Sequence, residues 1–310
     1  MQPFITTVEE LKETVKVNKN EYLLSSLSPY LDDAYDKYII PYIGETLIGR
    51  LLGNGTGEAE RRLHRGICRA LGPLAVALAT PELGVLIGDS GHTVTRTDKV
   101  TVASDQKIAK AEASMTWRGL DRLDWLLNFL SANEDCYPEW KDSMYYRNRS
   151  KGHYLNSARE FKEYGRVDIR DSCLAFENFR PLLDTLEMKL RRWIGPVLDD
   201  LLRVELLAPG NLHRKDLADF VRQWLAMNVA ALYADRAAHP EPGVAGYAEY
   251  LPAIGPAHTD QAGLGKFYAG QVASLESFIS DYIVRYAVEL GLPAPAKNDF
   301  NSIDKHIFVS

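Results

Sequence analysis

Cysteine is scarce in this chain: Cys68, Cys136 and Cys173 are far apart in 310 residues and odd in number. That usage fits neither a disulfide framework nor a zinc module with paired CxxC spacing, and it points to synthesis in a reducing, intracellular place. Long apolar runs are missing as well. No uninterrupted stretch approaches the roughly 18 residues of a membrane-spanning helix, and the opening MQPFITTVEELKETVKVN lacks the apolar core of an export signal, so neither secretion by that route nor membrane insertion is expected. Positive charge is not in excess. A net charge of -6 argues against a protein that grips nucleic acid through bulk charge, although local basic patches stay open.

Motifs that carry chemistry are absent too. There is no GxxxxGK[ST] phosphate loop, no GxGxxG and no GxSxG elbow. The seven histidines, His64, His92, His153, His213, His239, His258 and His306, include no HExxH and no i, i+4 pair beside a carboxylate, so no metal or cofactor is expected. The adjacent pairs Asp32–Asp33 and Asp199–Asp200 point to different sides of a helix and read as helix-end or surface residues rather than a catalytic dyad. The expectation is a protein that is not an enzyme.

What is present is an ordinary globular composition, 46% hydrophobic and 25% charged, in a chain long enough for two domains. Its most informative feature is a repetition. LSPYLDDAYDKYIIPYIGETLIGRLL, from Leu27, has an echo in FRPLLDTLEMKLRRWIGPVLDDLL, from Phe179. Pro29, Leu31, Asp32 and Lys37 match Pro181, Leu183, Asp184 and Lys189 at an offset of 152, and Ile43, Gly44, Leu47 and Leu51 match Ile194, Gly195, Leu198 and Leu202 at 151. Downstream, the stripe Leu63, Ile67, Leu71, Ala75, Leu78 matches Leu217, Val221, Leu225, Val229, Leu232 at 154. The proline spacing predicts helices that start at Pro29 and Pro181 with Ser28 as a cap, a bend at Pro41, and a close backbone approach at each Ile-Gly.

The predicted fold is therefore mainly α: two related helical-bundle units produced by internal duplication, at 1–150 and 151–292, followed by a C-terminal docking tail at 293–310. The first unit carries a β-hairpin-like arm at about 84–104, where HTVTRTDKVTV alternates β-branched residues; the second carries a long Pro/Gly loop at about 239–265. Tyr154, Ala158 and Phe161 predict one more helix before the second copy. The five tryptophans read as core, and sixteen tyrosines are more than a core readily hides, which points to interfaces. Arg61, Arg62, Arg65 and Arg69 in RRLHRGICR form a basic cluster suited either to nucleic-acid phosphate or to an acidic neighbouring subunit.

The segment LSPYLDDAYDKYIIPYIGETLIGRLL, with ICRALGPLAVALATPEL, LIGDSGHTVTRTD and WLLNFLSANEDCYPEWKDS, resembles an uncharacterised helical family from phage-like clusters of Bacteroidota. The helical unit with its arm is also similar to head-tail connector, or adaptor, proteins of tailed phages. That resemblance implies a structural particle component made in the bacterial cytoplasm, assembling with copies of itself in a ring and touching portal and tail proteins. In it Val94, Arg96, Val100 and Val102 of the arm, and His306, Ile307, Phe308 and Val309 of the tail, would be docking residues. A tail-terminator or other contractile-particle component would leave nearly the same marks. From a different class, so would a DNA-binding regulatory protein using the Arg61–Arg69 helix.

Overall fold

The computed structural model describes residues 3–15, 24–54, 57–83, 86–88, 91–93, 105–149, 152–238 and 260–293. The chain divides into two units, Met1–Arg149 and Ser150–Ser310, and both are mainly helical. Among the described residues no helix is long and apolar enough to cross a membrane.

Unit 1 opens with α1 (Val8–Thr14), whose capping box pairs the Thr7 hydroxyl with the Glu10 amide and the Glu10 carboxylate with the Thr7 amide. Then come α2 (Leu24–Ala34), a π-helical turn (Tyr35–Ile39), α3 (Ile40–Ile43), α4 (Glu45–Asn54) and α5 (Glu58–Leu83). A short antiparallel pair, β1 (Leu86–Gly88) with β2 (Gly91–Thr93), precedes α6 (Asp105–Ala132). Two 3-10 turns (Glu134–Cys136 and Pro138–Asp142) lead to α7 (Met144–Arg149). The long helices α5 and α6 pack along one another and α2 lies on α5. Leu27, Leu31, Leu63, Ile67, Leu71, Leu123, Leu127 and Leu130 are buried in unit 1, each large aliphatic side chain contributing about 1.5–3 kcal/mol.

Unit 2 contains α8 (Ala158–Glu163), α9 (Cys173–Ile194), α10 (Pro196–Leu207), α11 (Leu212–Ala238) and α12 (Gln261–Arg285). Its core gathers Phe161, Phe176, Leu183, Leu198, Leu202, Leu217, Val221, Trp224, Leu225, Val229 and Ile279. Ser157 and Ser172 cap α8 and α9 by accepting amide hydrogen bonds from Glu160 and Ala175. The Pro/Gly loop was expected to reach about 265, but α12 begins at Gln261, because the Asp260 carboxylate accepts the Ala262 amide and caps it there.

Pro29 and Pro181 do not start helices. Pro29 lies inside α2 and Pro181 inside α9. A proline forfeits one ladder hydrogen bond and crowds the carbonyl four residues back; in α2 that carbonyl belongs to exposed Ser25, where water can reach it. Ser28 is likewise inside α2 and caps nothing. The bend falls after Pro41, at Gly44, which has φ 87° and ψ 141°; α9 ends at Gly195 with φ 86° and ψ 148°. Both glycines hold a backbone conformation closed to L side chains. Only Gly44 is also a close approach, since a Cβ there would lie 3.2 Å from Ser143 Cα, whereas at Gly195 no described atom falls within 4 Å. Gly195→Ala should cost about 1–3 kcal/mol from backbone strain alone, and Gly44→Ala more. Denaturant titration checks both, and equal midpoints for the two variants would refute the difference.

Between Lys37 and Ile43 unit 1 has one residue more than unit 2 has between Lys189 and Ile194. That stretch of α9 is regular helix, while unit 1 there makes its π turn, with the Ile40 amide donating to Tyr35 O five residues back. The wider turn takes up the extra residue and gives the Pro41 ring room that a regular turn denies it.

Candidate functional site

Two clusters of charge stand out, one in each unit. In unit 1 the basic helix predicted from the sequence is α5, and the structure divides its arginines. Arg62 turns onto the rings of Trp125 and Phe129, at 5.3 and 5.2 Å, and is engaged in cation–π contact. Arg61, Arg65 and Arg69 recur every four residues along an exposed face, about 6 Å apart along the axis. None of the three makes an ion pair among the described residues. Arg61 and Arg65, with Leu51, Glu58 and His64, line an open depression of about 590 Å³. Cys68, one turn on, sits 3.7 Å from His64 Nδ1, but burial pushes its thiol up to about 12, which leaves it un-ionised and a poor nucleophile.

Unit 2 holds the cluster that sequence reasoning missed. Asp199, expected at the surface, is wholly buried. It accepts hydrogen bonds from Tyr154 Oη at 2.9 Å, Arg191 Nη1 at 2.6 Å and Arg203 Nε at 3.0 Å. Arg203 also reaches Glu187 at 3.0 Å and the Gly152 carbonyl at 2.9 Å. Glu187 in turn accepts from the Tyr154 amide at 3.1 Å and faces His153 Nδ1 at 3.3 Å. Burial by itself would raise the Glu187 carboxyl; the hydrogen bond from His153 and the charge of Arg203 outweigh it and hold the group below its ordinary value. Burial, then the Asp199 charge, push the Tyr154 phenol far up, so it remains a donor.

The network ties the consecutive helices α9 and α10 to the coil at 152–155, 33 to 51 residues upstream of their charged groups. A buried carboxylate survives there because three donors surround it. Its sequence signal was the i, i+4 pair Asp199–Arg203, which the adjacency of Asp199 to exposed Asp200 obscured. Within this cluster the donors and acceptors are committed to one another. Among the described residues no group of three or more His, Cys, Asp or Glu is placed to hold a metal ion. The predicted docking residues Val94, Arg96, Val100, Val102, His306, Ile307, Phe308 and Val309 lie outside the described residues.

Residues 10–150 match a family model described as a family of unknown function, DUF6712. The match ends where unit 1 ends. No curated protein and no solved structure matches the chain.

Proposed function

We propose that this chain is a structural, non-catalytic subunit of a virion or phage-like particle, built from a duplicated helical unit and serving as a head-tail connector that joins portal to tail in a ring of copies. The observation that carries the reading is the repeated construction: two units, each a helix ending at an Ile-Gly with φ near 86°, then a short helix, then a long helical hairpin. Matched core positions are buried in both at Leu47 with Leu198, Leu63 with Leu217, and Leu71 with Leu225, while the last pair of the stripe is not, Leu78 being half-buried and Leu232 exposed. Both hairpins also leave large apolar side chains exposed, Trp117 in unit 1 and Leu232, Phe267 and Phe278 in unit 2, as a subunit that packs against neighbours would. Duplication supplies two similar but divergent contact surfaces on one subunit, and a head-to-tail ring closes through two different patches of each subunit. The arm and tail residues named above are the proposed docking elements.

The test is quantitative mass spectrometry of gradient-purified particles induced from the source strain. A fixed ratio of this chain to the portal protein is expected; its absence from otherwise intact particles overturns the reading. The unpaired ladder Arg61, Arg65, Arg69 favours a second reading, contact with DNA. It predicts salt-sensitive DNA binding by the isolated protein that is lost on replacing Arg61 and Arg65 by Glu.

A further inference from the structure

The basic face of unit 1 does not stop at α5. Along α6, Arg118, Arg122, Trp125 and Phe129 recur at steps of four, three and four and so share one stripe. Trp125 and Phe129 stack on one another at 5.5 Å, and they are the rings on which Arg62 of α5 lies. The stripe is therefore the edge of α6 that borders the exposed arginines of α5. The two helices run antiparallel: a Cβ on Gly66 would lie 3.1 Å from Trp125, and one on Gly119 would lie 3.0 Å from the Ala70 carbonyl. This register sets Arg122 level with Arg69, and Arg118 one turn beyond. Both are exposed, and neither makes an ion pair among the described residues. Of the nearby carboxylates, Glu60 is taken by Arg50, Asp121 is turned about 100° away from Arg122 around the helix, and Glu58 stands at the rim beside Arg61.

We propose that this two-helix face binds the phosphate backbone of duplex DNA without reading its sequence, Arg61, Arg65 and Arg69 of α5 and Arg118 and Arg122 of α6 making the contacts. The proposal rests on the second reading above, contact with DNA, and adds α6 to it. From Arg61 to the level of Arg118 the track is about 18 Å long, the axial rise of about five nucleotides of one strand. Guanidinium groups present forked donors that match phosphate oxygens. Arg62 stays charged on its rings and adds to the field between the two rows. Width closes off sequence readout. Each helix is about 10–12 Å across with its side chains, and α5 is flanked by α6 on one edge and by Leu51 of α4, across the depression, on the other. A body that wide cannot enter a major groove about 12 Å across. The contact is confined to phosphates, which position a protein on DNA and carry no sequence information. A chain of net charge -6 then grips DNA through this local face and not through its bulk charge.

The test is fluorescence anisotropy of labelled duplexes of two unrelated sequences, titrated with the full-length protein at about 50 and about 200 mM salt. Five phosphate contacts predict that affinity falls about 500-fold over that range, alike for both sequences. The double variant Arg118→Gln, Arg122→Gln, with three contacts left, should fall only about 40-fold and bind both duplexes more weakly. Arg122→Gln alone, falling about 150-fold, gives the same answer with the least change to α6. Binding that needs Arg61 and Arg65 but keeps its wild-type salt dependence in the α6 variants overturns this inference and leaves the DNA reading standing. No binding by wild type at the lower salt overturns both. A preference for one sequence overturns the backbone-only contact. Polyglutamate held as tightly as DNA of equal charge puts an acidic protein segment on the face and overturns the proposal too.

Discussion

Asp199→Ala is expected to destabilise unit 2 by about 3–5 kcal/mol, the range for removing one partner of a buried, hydrogen-bonded charge cluster. The loss has three parts: Arg203 Nε and Tyr154 Oη lose their acceptor inside the fold, Arg191 keeps only Asp200, and Arg203 keeps only Glu187 as a charged partner. Half-exposed Arg191 re-solvates readily and adds the smallest share. Asp199→Asn, which retains one acceptor oxygen, should cost distinctly less. Since a domain is stable by only about 5–15 kcal/mol, the alanine variant sits near the folding threshold. Urea titration followed by the tryptophan signal measures it, and an unchanged midpoint would show that the cluster contributes nothing net. Acid should act on the same cluster. Because Glu187 is held below its ordinary value of 4.5, its contribution is complete above that pH and is lost as the pH falls through the folded-state value beneath it.

Trp140→Ala should cost unit 1 about 3–5 kcal/mol, as for truncating a large buried aromatic. The ring is wholly buried, packs on Tyr145 at 5.9 Å and Tyr146 at 5.3 Å, and ties its indole N–H to the Tyr42 carbonyl just ahead of Gly44. Its removal opens a cavity and frees the 3-10 segment that clasps Arg50 through the Cys136 carbonyl and Glu139. Hydrogen exchange in residues 138–149 should accelerate more than in α5, and uniform acceleration would mean that this segment is not a separable layer.

The helical stripes were legible because burial imposes a 3.6-residue period: Leu63, Ile67 and Leu71, like Leu217, Val221 and Leu225, are buried as read, and only at the end of the stripe do half-buried Leu78 and exposed Leu232 depart from it. Helix starts were not legible from Pro29 and Pro181. Proline is compatible with an interior position when the orphaned carbonyl faces water, and the stronger cap signal of Ser172 lay several residues upstream. The core tryptophans divided as well: Trp140 and Trp224 are buried, whereas Trp117 is 40% exposed. Asp199 was misread because an acidic pair carries no local mark of depth; its partners Tyr154 and Arg191 come from other segments, and only the fold assembles them. Arg62 was grouped with its neighbours although a one-residue step turns it about 100° around the helix, onto Trp125.

The π turn at Tyr35–Ile39 bears on how such a chain tolerates change in length. An added residue in a rigid α-helix would rotate everything beyond it by about 100° and bring solvent-facing side chains inward. Confined to one wide turn, the addition instead leaves Leu27 and Leu31 before it and Ile43 after it all buried in the interior. The turn works as a phase corrector: it takes up one residue while the apolar side chains before and after it stay buried.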